Sequence, residues 1–227
     1  GFSGQGALQI LGGTGFFHGP VTFTSPASIG TPSNSLLALF GPLQGTNDWS
    51  KVGAGRLAFA GSSTNTFSGT CHIAEGTLFI QKSGNVPAIP GLLRIGGSSL
   101  PATVQLGSGN PFGSNAAVRI ESGGQLDMGS YNASVTNLTM TAGEVVFGSG
   151  TLTLLGDFRY AGTTENAHLS AGTLSLGGVV RTFTIDDGIP TSDVLCEATI
   201  QDGGLLKQGN GCLTLRAAST YPLGTVI

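Results

Sequence analysis

A glycine turn followed by alternating apolar residues recurs along the chain, and it constrains the fold more than any other feature of the sequence. The most complete copy spans residues 53–80 and opens with a turn at Gly53 and Gly55, because glycine alone enters positive φ without steric cost. Since successive strand residues point to opposite faces, the alternation that follows predicts three short strands, which make one triangular coil of a β-solenoid. The residues expected inside this coil are Leu57, Phe59, Phe67, Ile73, Leu78 and Ile80.

Four copies of this motif begin near residues 4, 53, 148 and 209. If one coil takes about 20–25 residues, as short structural repeats do, the copies are expected to lie near two, four and three coils apart. The chain is then predicted to form about ten coils, roughly 50 Å long at ~4.8 Å per coil, as one domain over residues 1–227.

The strand that closes the motif also recurs, since Gly76-Thr77-Leu78 reappears as Gly172-Thr173-Leu174. Together with the opening turn and strand, this pattern resembles the autotransporter-associated β-strand repeat, which occurs in passenger domains of bacterial autotransporters and related surface proteins. Residues 204–215 are the copy nearest to the family's form, and clear copies cover roughly half of the chain. The resemblance implies a right-handed parallel β-helix, an extracellular location and often adhesion, but it carries over no catalytic residues.

The composition favours an all-β fold class with a packed core. Glycine accounts for 39 of 227 residues and charged residues for 9%, while 39% of the residues are hydrophobic and occur in alternating runs. Runs of a dozen residues that keep a helical apolar stripe without glycine or proline do not occur. The predicted fold is therefore a right-handed parallel β-helix of about ten coils.

The charge distribution argues against two classes of partner. The net charge is −3 and the nine Lys and Arg residues are scattered, whereas nucleic-acid binding calls for a basic stripe. Apolar runs stay well short of the roughly twenty residues of a membrane helix, so membrane insertion is not expected. The expected partners are the chain itself, stacked head to tail, and surface or matrix glycans.

The three cysteines, Cys71, Cys196 and Cys212, permit one disulfide plus a free or intermolecular thiol. Their spacing does not match a metal site, and neither a metal nor a cofactor is expected. The strand pattern points Cys71 inward as a small hydrophobic residue and Cys212 outward. The other interpretation is an intermolecular bridge through Cys212 or Cys196.

The sequence offers few residue patterns that are typical of a catalytic site, so a non-enzymatic protein is expected. Asp186 and Asp187 offer adjacent carboxylates for acid–base work on a glycosidic bond, but neighbouring strand residues point to opposite faces and Asp-Asp-Gly-Ile-Pro is typical of a turn. The histidines His18, His72 and His168 lie far apart in the sequence and are expected to be solvated.

The two ends of the chain suggest self-assembly, because the stacked strands of a solenoid leave unpaired edges at its ends. The sequence ends on the strand-like segment 225–227, and segment 6–10 has the pattern of the strand that would follow it. The other interpretation is a neighbouring domain that caps the end. The residues expected to take part in assembly are Gly6, Ala7, Leu8, Ile10, Thr225, Val226 and Ile227.

The function predicted from these observations is structural: a secreted or cell-surface rod that stacks end to end, as a tandem in a longer chain or as an extracellular fibre. The alternative is an adhesin fragment that binds host or matrix glycans, with Phe79, Trp49 and Tyr131 as the aromatic residues of interest. A polysaccharide-active β-helix enzyme ranks third, because the fold alone does not exclude chemistry.

Overall fold

The chain winds as a succession of short strands and turns, and the structure, a computed structural model, describes residues 6–227. Within that range it forms 25 strands and no helix. The first turn of the earliest motif copy begins at Gly4, which lies outside the described residues. In chain order the strands are β1 (Leu8–Gln9), β2 (Thr14–Phe17), β3 (Val21–Phe23), β4 (Ala27–Gly30), β5 (Leu36–Leu39), β6 (Leu43–Gly45), β7 (Trp49–Val52), β8 (Arg56–Phe59), β9 (Cys71–Ile73), β10 (Gly76–Ile80), β11 (Leu92–Ile95), β12 (Ala102–Leu106), β13 (Ala117–Ile120), β14 (Gly124–Asp127), β15 (Ala133–Val135), β16 (Leu138–Met140), β17 (Glu144–Val146), β18 (Thr151–Leu154), β19 (Phe158–Tyr160), β20 (Ala167–Leu169), β21 (Thr173–Ile185), β22 (Val194–Cys196), β23 (Thr199–Gln208), β24 (Leu213–Leu215) and β25 (Thr225–Val226).

The strands pair in parallel and build three faces. Face one contains β1, β4, β7, β9, β11, β13, β16 and β19, the second halves of β21 and β23, and β25. Face two contains β2, β5, β8, β10, β12, β14, β17, β20, β22 and β24. Face three starts with β3 and β6, passes through a bridge between Ile89 and Phe112, and ends with β15, β18 and the first halves of β21 and β23. The long strands β21 and β23 therefore turn the corner from face three to face one.

The register of face one gives the length of each coil. Leu93 pairs with Val118, and Val118 pairs in turn with Leu138, so a longer coil is followed by a shorter one. Both steps along the sequence lie within the predicted coil length. Face two has ten strands, one from each coil. The predicted all-β parallel β-helix of about ten coils is thus confirmed.

The core runs along the inside of the three faces as ladders of similar side chains. All six residues predicted to line the interior between Leu57 and Ile80 are at most 1% exposed. Burying a Leu, Ile or Phe side chain stabilises the fold by about 1.5–3 kcal/mol, and each ladder adds such a contribution in every coil. On face one the inward ladder Ile29, Lys51, Ile73, Ile95 and Ile120 is continuous in register, with one lysine among four isoleucines.

The motif copies do not all start on the same face. The turns at residues 53 and 209 precede β8 and β24 on face two, the turn at 148 precedes β18 on face three, and β1 lies on face one. The copies at 53 and 209 lie seven coils apart on face two, which is the sum of the four and three coils expected, whereas the copies at 4 and 148 are displaced from them by one face. The physical reason is that the motif specifies a turn followed by a strand, and a three-sided solenoid accepts this unit on any of its faces.

Candidate functional site

The strand edges predicted for self-assembly lie at opposite ends of face one. At the first end, β1 pairs with β4, and the Ala7 amide donates a 2.7 Å hydrogen bond to the Ser28 carbonyl. Gly6 has φ +102°, and a Cβ there would lie 2.5 Å from the Gly30 amide nitrogen, so only glycine fits. Leu8 and Ile10 are half-buried and pack against the core. The other edge of β1 has no partner strand among residues 6–227.

At the second end, β25 pairs with β23 through Thr225 opposite Leu205 and Val226 opposite Leu206. Its side chains are open to solvent, since Val226 is 59% and Ile227 97% exposed. A cavity of about 290 Å³ opens beside this strand. Its apolar lining consists of Leu205, Leu213, Leu215 and Ile227. Within one molecule the two predicted groups of assembly residues are separated by the length of the solenoid.

The three cysteines are unpaired, with Cys71 and Cys196 buried and Cys212 exposed, which are the orientations predicted for Cys71 and Cys212. Burial raises the pKa of the Cys71 thiol well above its ordinary value. Burial also raises the pKa of Cys196 to about 11, although hydrogen bonding with the Ala198 backbone opposes this shift. Because the thiolate is the reactive form, these two buried thiols are poor nucleophiles at neutral pH.

The acidic pair predicted as a catalytic candidate lies in the loop after β21, where the two carboxylates have different surroundings. The Asp186 carboxylate accepts a 2.7 Å hydrogen bond from Arg159 and forms an exposed ion pair. Asp187 is exposed beside it. Groups of three or more His, Cys, Asp or Glu side chains suited to a metal ion do not occur in the described part of the chain.

The three histidines lie on different coils and have different surroundings. His18 stacks on Phe40 with ring centroids 4.6 Å apart, and His72 Nε2 lies 2.9 Å from the Gly96 carbonyl oxygen. His168 is different, because it lies between two carboxylates on face two.

Sequence analysis missed this cluster around His168. The Nδ1 atom is 3.1 Å from the Glu144 carboxylate, and Nε2 is 3.2 Å from the Glu197 carboxylate, which also binds Arg216 at 3.2 Å. Hydrogen bonding from His168, followed by that from Arg216, lowers the pKa of Glu197. The residues come together because β17, β20 and β22 are adjacent strands of face two. To predict this cluster, one would need the number of residues in each coil, and the sequence alone gives that number only approximately.

The aromatic residues predicted for glycan binding do not form an exposed platform. Trp49 is fully buried and stacks on Phe23 at 5.3 Å, so its predicted surface role is wrong. Phe79 is half-buried beneath Arg56, whose guanidinium carbon lies 3.8 Å from the ring centroid. Tyr131 is half-buried against the core. Trp49 turns inward because β7 places alternate residues, Trp49 and Lys51, inside the coil.

Comparison with family models matches two segments, residues 50–79 and 145–176, to the Passenger-associated-transport-repeat. This match confirms the predicted resemblance to an autotransporter-associated repeat. The first segment contains β8, β9 and all but the last residue of β10, and the second contains β18, β19, β20 and the start of β21. The opening strand lies on face two in the first segment and on face three in the second, so the two copies differ by a rotation of one face.

The repeat implies an autotransporter passenger β-helix and suggests a secreted or cell-surface protein. Comparisons with curated proteins and with solved structures gave no match. Over residues 6–227 there is no helix long and apolar enough to cross a membrane.

Proposed function

We propose that this protein is a non-enzymatic structural segment of a secreted or cell-surface passenger, a rigid β-helical rod that stacks end to end. The observation that carries the proposal is the pair of strand edges on face one, where β1 and β25 each have a single partner strand among the described residues. An unpaired parallel edge accepts another strand through its free backbone groups. The added coil comes from the next segment of a longer chain or from a second copy.

The geometry of the coil defines how two segments stack. A coil runs from face one to face two and then to face three, so the position that follows β25 lies on face two beside β24. Because β1 belongs to face one, a continuous stack requires the incoming segment to be rotated by one face. The two matched repeats already differ by that rotation within the chain, which supports the view that the faces are close enough in shape to exchange.

Electron microscopy and light scattering of the 227-residue chain test this proposal. The expected result is uniform filaments, or oligomers that grow with protein concentration, with Leu8→Lys and Val226→Lys each abolishing them. A lysine on a strand edge blocks edge pairing because its charge would have to be desolvated. The matched control is Leu155→Lys, because Leu155 is 48% exposed in the turn after β18, away from both end strands. Particles of a single mass at all concentrations would contradict end-to-end stacking between separate molecules.

A second candidate function, that of an adhesin that binds glycans, is favoured by a different observation. A polar groove runs beside the His168 cluster on face two, and its volume is about 810 Å³. This value falls in the range of about 300–1,000 Å³ that is typical of ligand clefts.

A further inference from the structure

The groove lies between the outer surface of face two and two loops that project from neighbouring coils, residues 161–166 and 186–193. The coils that carry these loops are among the longest in the solenoid. One coil runs from Phe158 to its register partner Phe183, and the next runs from Phe183 to Lys207. The two coils that precede them, from Val118 to Leu138 and from Leu138 to Phe158, are shorter and carry no such loop. The additional residues therefore form the wall of the groove.

Hydrogen bonds hold both loops in place. The fully buried Asp193 carboxylate accepts hydrogen bonds from the Gly188 amide at 2.8 Å and the Cys212 amide at 2.7 Å. The Ile189 amide donates to the Thr163 carbonyl at 2.9 Å, which ties one loop to the other. A wall fixed in this way loses little conformational entropy when a ligand binds.

The lining of the groove combines carboxylates with hydroxyl groups. Glu144 and Glu165 line it, and Glu197 contacts two other lining residues, His168 and Arg216. Three carboxylates thus oppose one permanent cation, so the groove is negative whether or not His168 carries a proton. The Ser192 and Thr214 hydroxyls, which are 2.8 Å apart, add donors and acceptors.

We propose that this groove binds a segment of polysaccharide whose sugars carry free amino groups. The carboxylates attract the ammonium groups, while the hydroxyls and the Asn166 amide suit the hydroxyl groups of the sugar ring. A basic peptide would satisfy the charge, but it offers these neutral polar groups only backbone partners in place of the many hydroxyl groups of a sugar chain. This inference rests on the second candidate function and gives that function a ligand class and a location.

Calorimetric titration of the whole chain with a glucosamine tetrasaccharide tests the proposal, with an N-acetylglucosamine tetrasaccharide and tetralysine as comparisons. At mildly acidic pH the glucosamine oligomer is expected to saturate one site and to bind at least about tenfold more tightly than either comparison. Glu144→Gln combined with Glu165→Gln is expected to weaken binding by at least about tenfold. The control is Asp202→Asn, which removes a carboxylate from a separate groove on face three.

A second variant does not change the charge. Thr191→Trp fills the groove from an exposed loop position and is also expected to abolish binding, with an unchanged circular dichroism spectrum. Absence of saturable binding by the glucosamine oligomer would overturn the proposal, as would equally tight binding of tetralysine. Filament formation is measured separately, so failure of end-to-end stacking and failure of this site give different results.

Discussion

Arg94 and Arg119 are register partners on adjacent parallel strands, so two guanidinium groups stand side by side on face one. Like charges at directly opposed positions destabilise a sheet. The Glu121 carboxylate removes this repulsion, because Oε2 accepts from Arg94 at 2.6 Å and Oε1 accepts from Arg119 at 2.6 Å. Two neighbouring coils are thereby joined at their outer surface, since Arg94 lies on β11 and Arg119 on β13.

Glu121→Gln is expected to lower the free energy of unfolding by about 1–2 kcal/mol, a value reduced for the solvent exposure of both arginines. The substitution removes the charge that both guanidinium groups share. Urea denaturation measures the effect. The control is Asp186→Asn, which breaks an exposed pair with Arg159 and is expected to change stability by less than about 1 kcal/mol. Equal effects for the two variants would contradict the special role of Glu121.

The same carboxylate predicts a stability loss in acid. Burial favours a higher pKa for Glu121, but hydrogen bonds from Arg94 and Arg119 outweigh this effect and hold the pKa below its ordinary value of 4.5. The stabilisation is therefore complete above that value and disappears as the pH falls through the lower pKa of the folded state. Denaturation curves measured from neutral pH downwards are expected to show a difference between the wild type and Glu121→Gln that is constant above pH 4.5 and shrinks below it. A constant difference would refute this assignment.

Asn65 joins three successive coils inside face three. It is 1% exposed; its Oδ1 accepts from the Leu43 amide at 3.0 Å and its Nδ2 donates to the Ala88 carbonyl at 2.8 Å. Asn65→Ala leaves two buried backbone groups unsatisfied and is expected to cost about 2–4 kcal/mol in thermal or urea unfolding. Asn132→Ala is the control, because exposed Asn132 also bonds a neighbouring coil through the Thr151 amide, where water replaces the lost partner. Its expected cost is about 1 kcal/mol or less.

The sequence predicted the coil and its interior well wherever apolar residues alternate, as from Leu57 to Ile80. It failed at Trp49. In the strand Trp-Ser-Lys-Val, Trp49 points to the same side as Lys51, and because lysine is usually exposed, the sequence suggested that both side chains point outward. It also failed at the groove, because Glu144 and Glu197 reach His168 from opposite sides only through the exact register of three successive coils. Local patterns encode turns and strands, whereas a site between coils depends on the number of residues in every intervening corner.

Lys51 replaces an isoleucine in the inward ladder of face one, between Ile29 and Ile73. Its ammonium group donates to the Gly53 carbonyl oxygen. Burial lowers the pKa of Lys51 from 10.5 to about 8, although the Glu75 carboxylate opposes the shift. Between these two pH values the unfolded chain binds more protons than the folded chain, so this residue makes the protein more stable as the pH rises.

Urea denaturation at pH values from about 8 to 10.5 tests the contribution of Lys51. Relative to Lys51→Met, the wild type is expected to gain roughly 1–3 kcal/mol across this range. Taking the difference between the two proteins removes the titration of all other groups. A difference that does not change with pH would contradict the proposed shift.

Gly148 lies where there is no room for a side chain between two coils. It has φ +58°, and a Cβ there would lie 1.9 Å from the Gly129 carbonyl oxygen of the preceding coil. Gly148→Ala is therefore expected to cost about 3 kcal/mol or more, since the coils must separate in addition to the penalty for positive φ. The matched control is Gly84→Ala, because Gly84 has φ +79° with nothing within 4 Å of a Cβ, so only the conformational penalty of about 1–2 kcal/mol remains. Because each coil contacts only its neighbours, hydrogen exchange is expected to show lost protection mainly in β14 and β17 of the Gly148→Ala variant. Uniform loss of protection along the whole rod would instead mean that the solenoid unfolds as one cooperative unit.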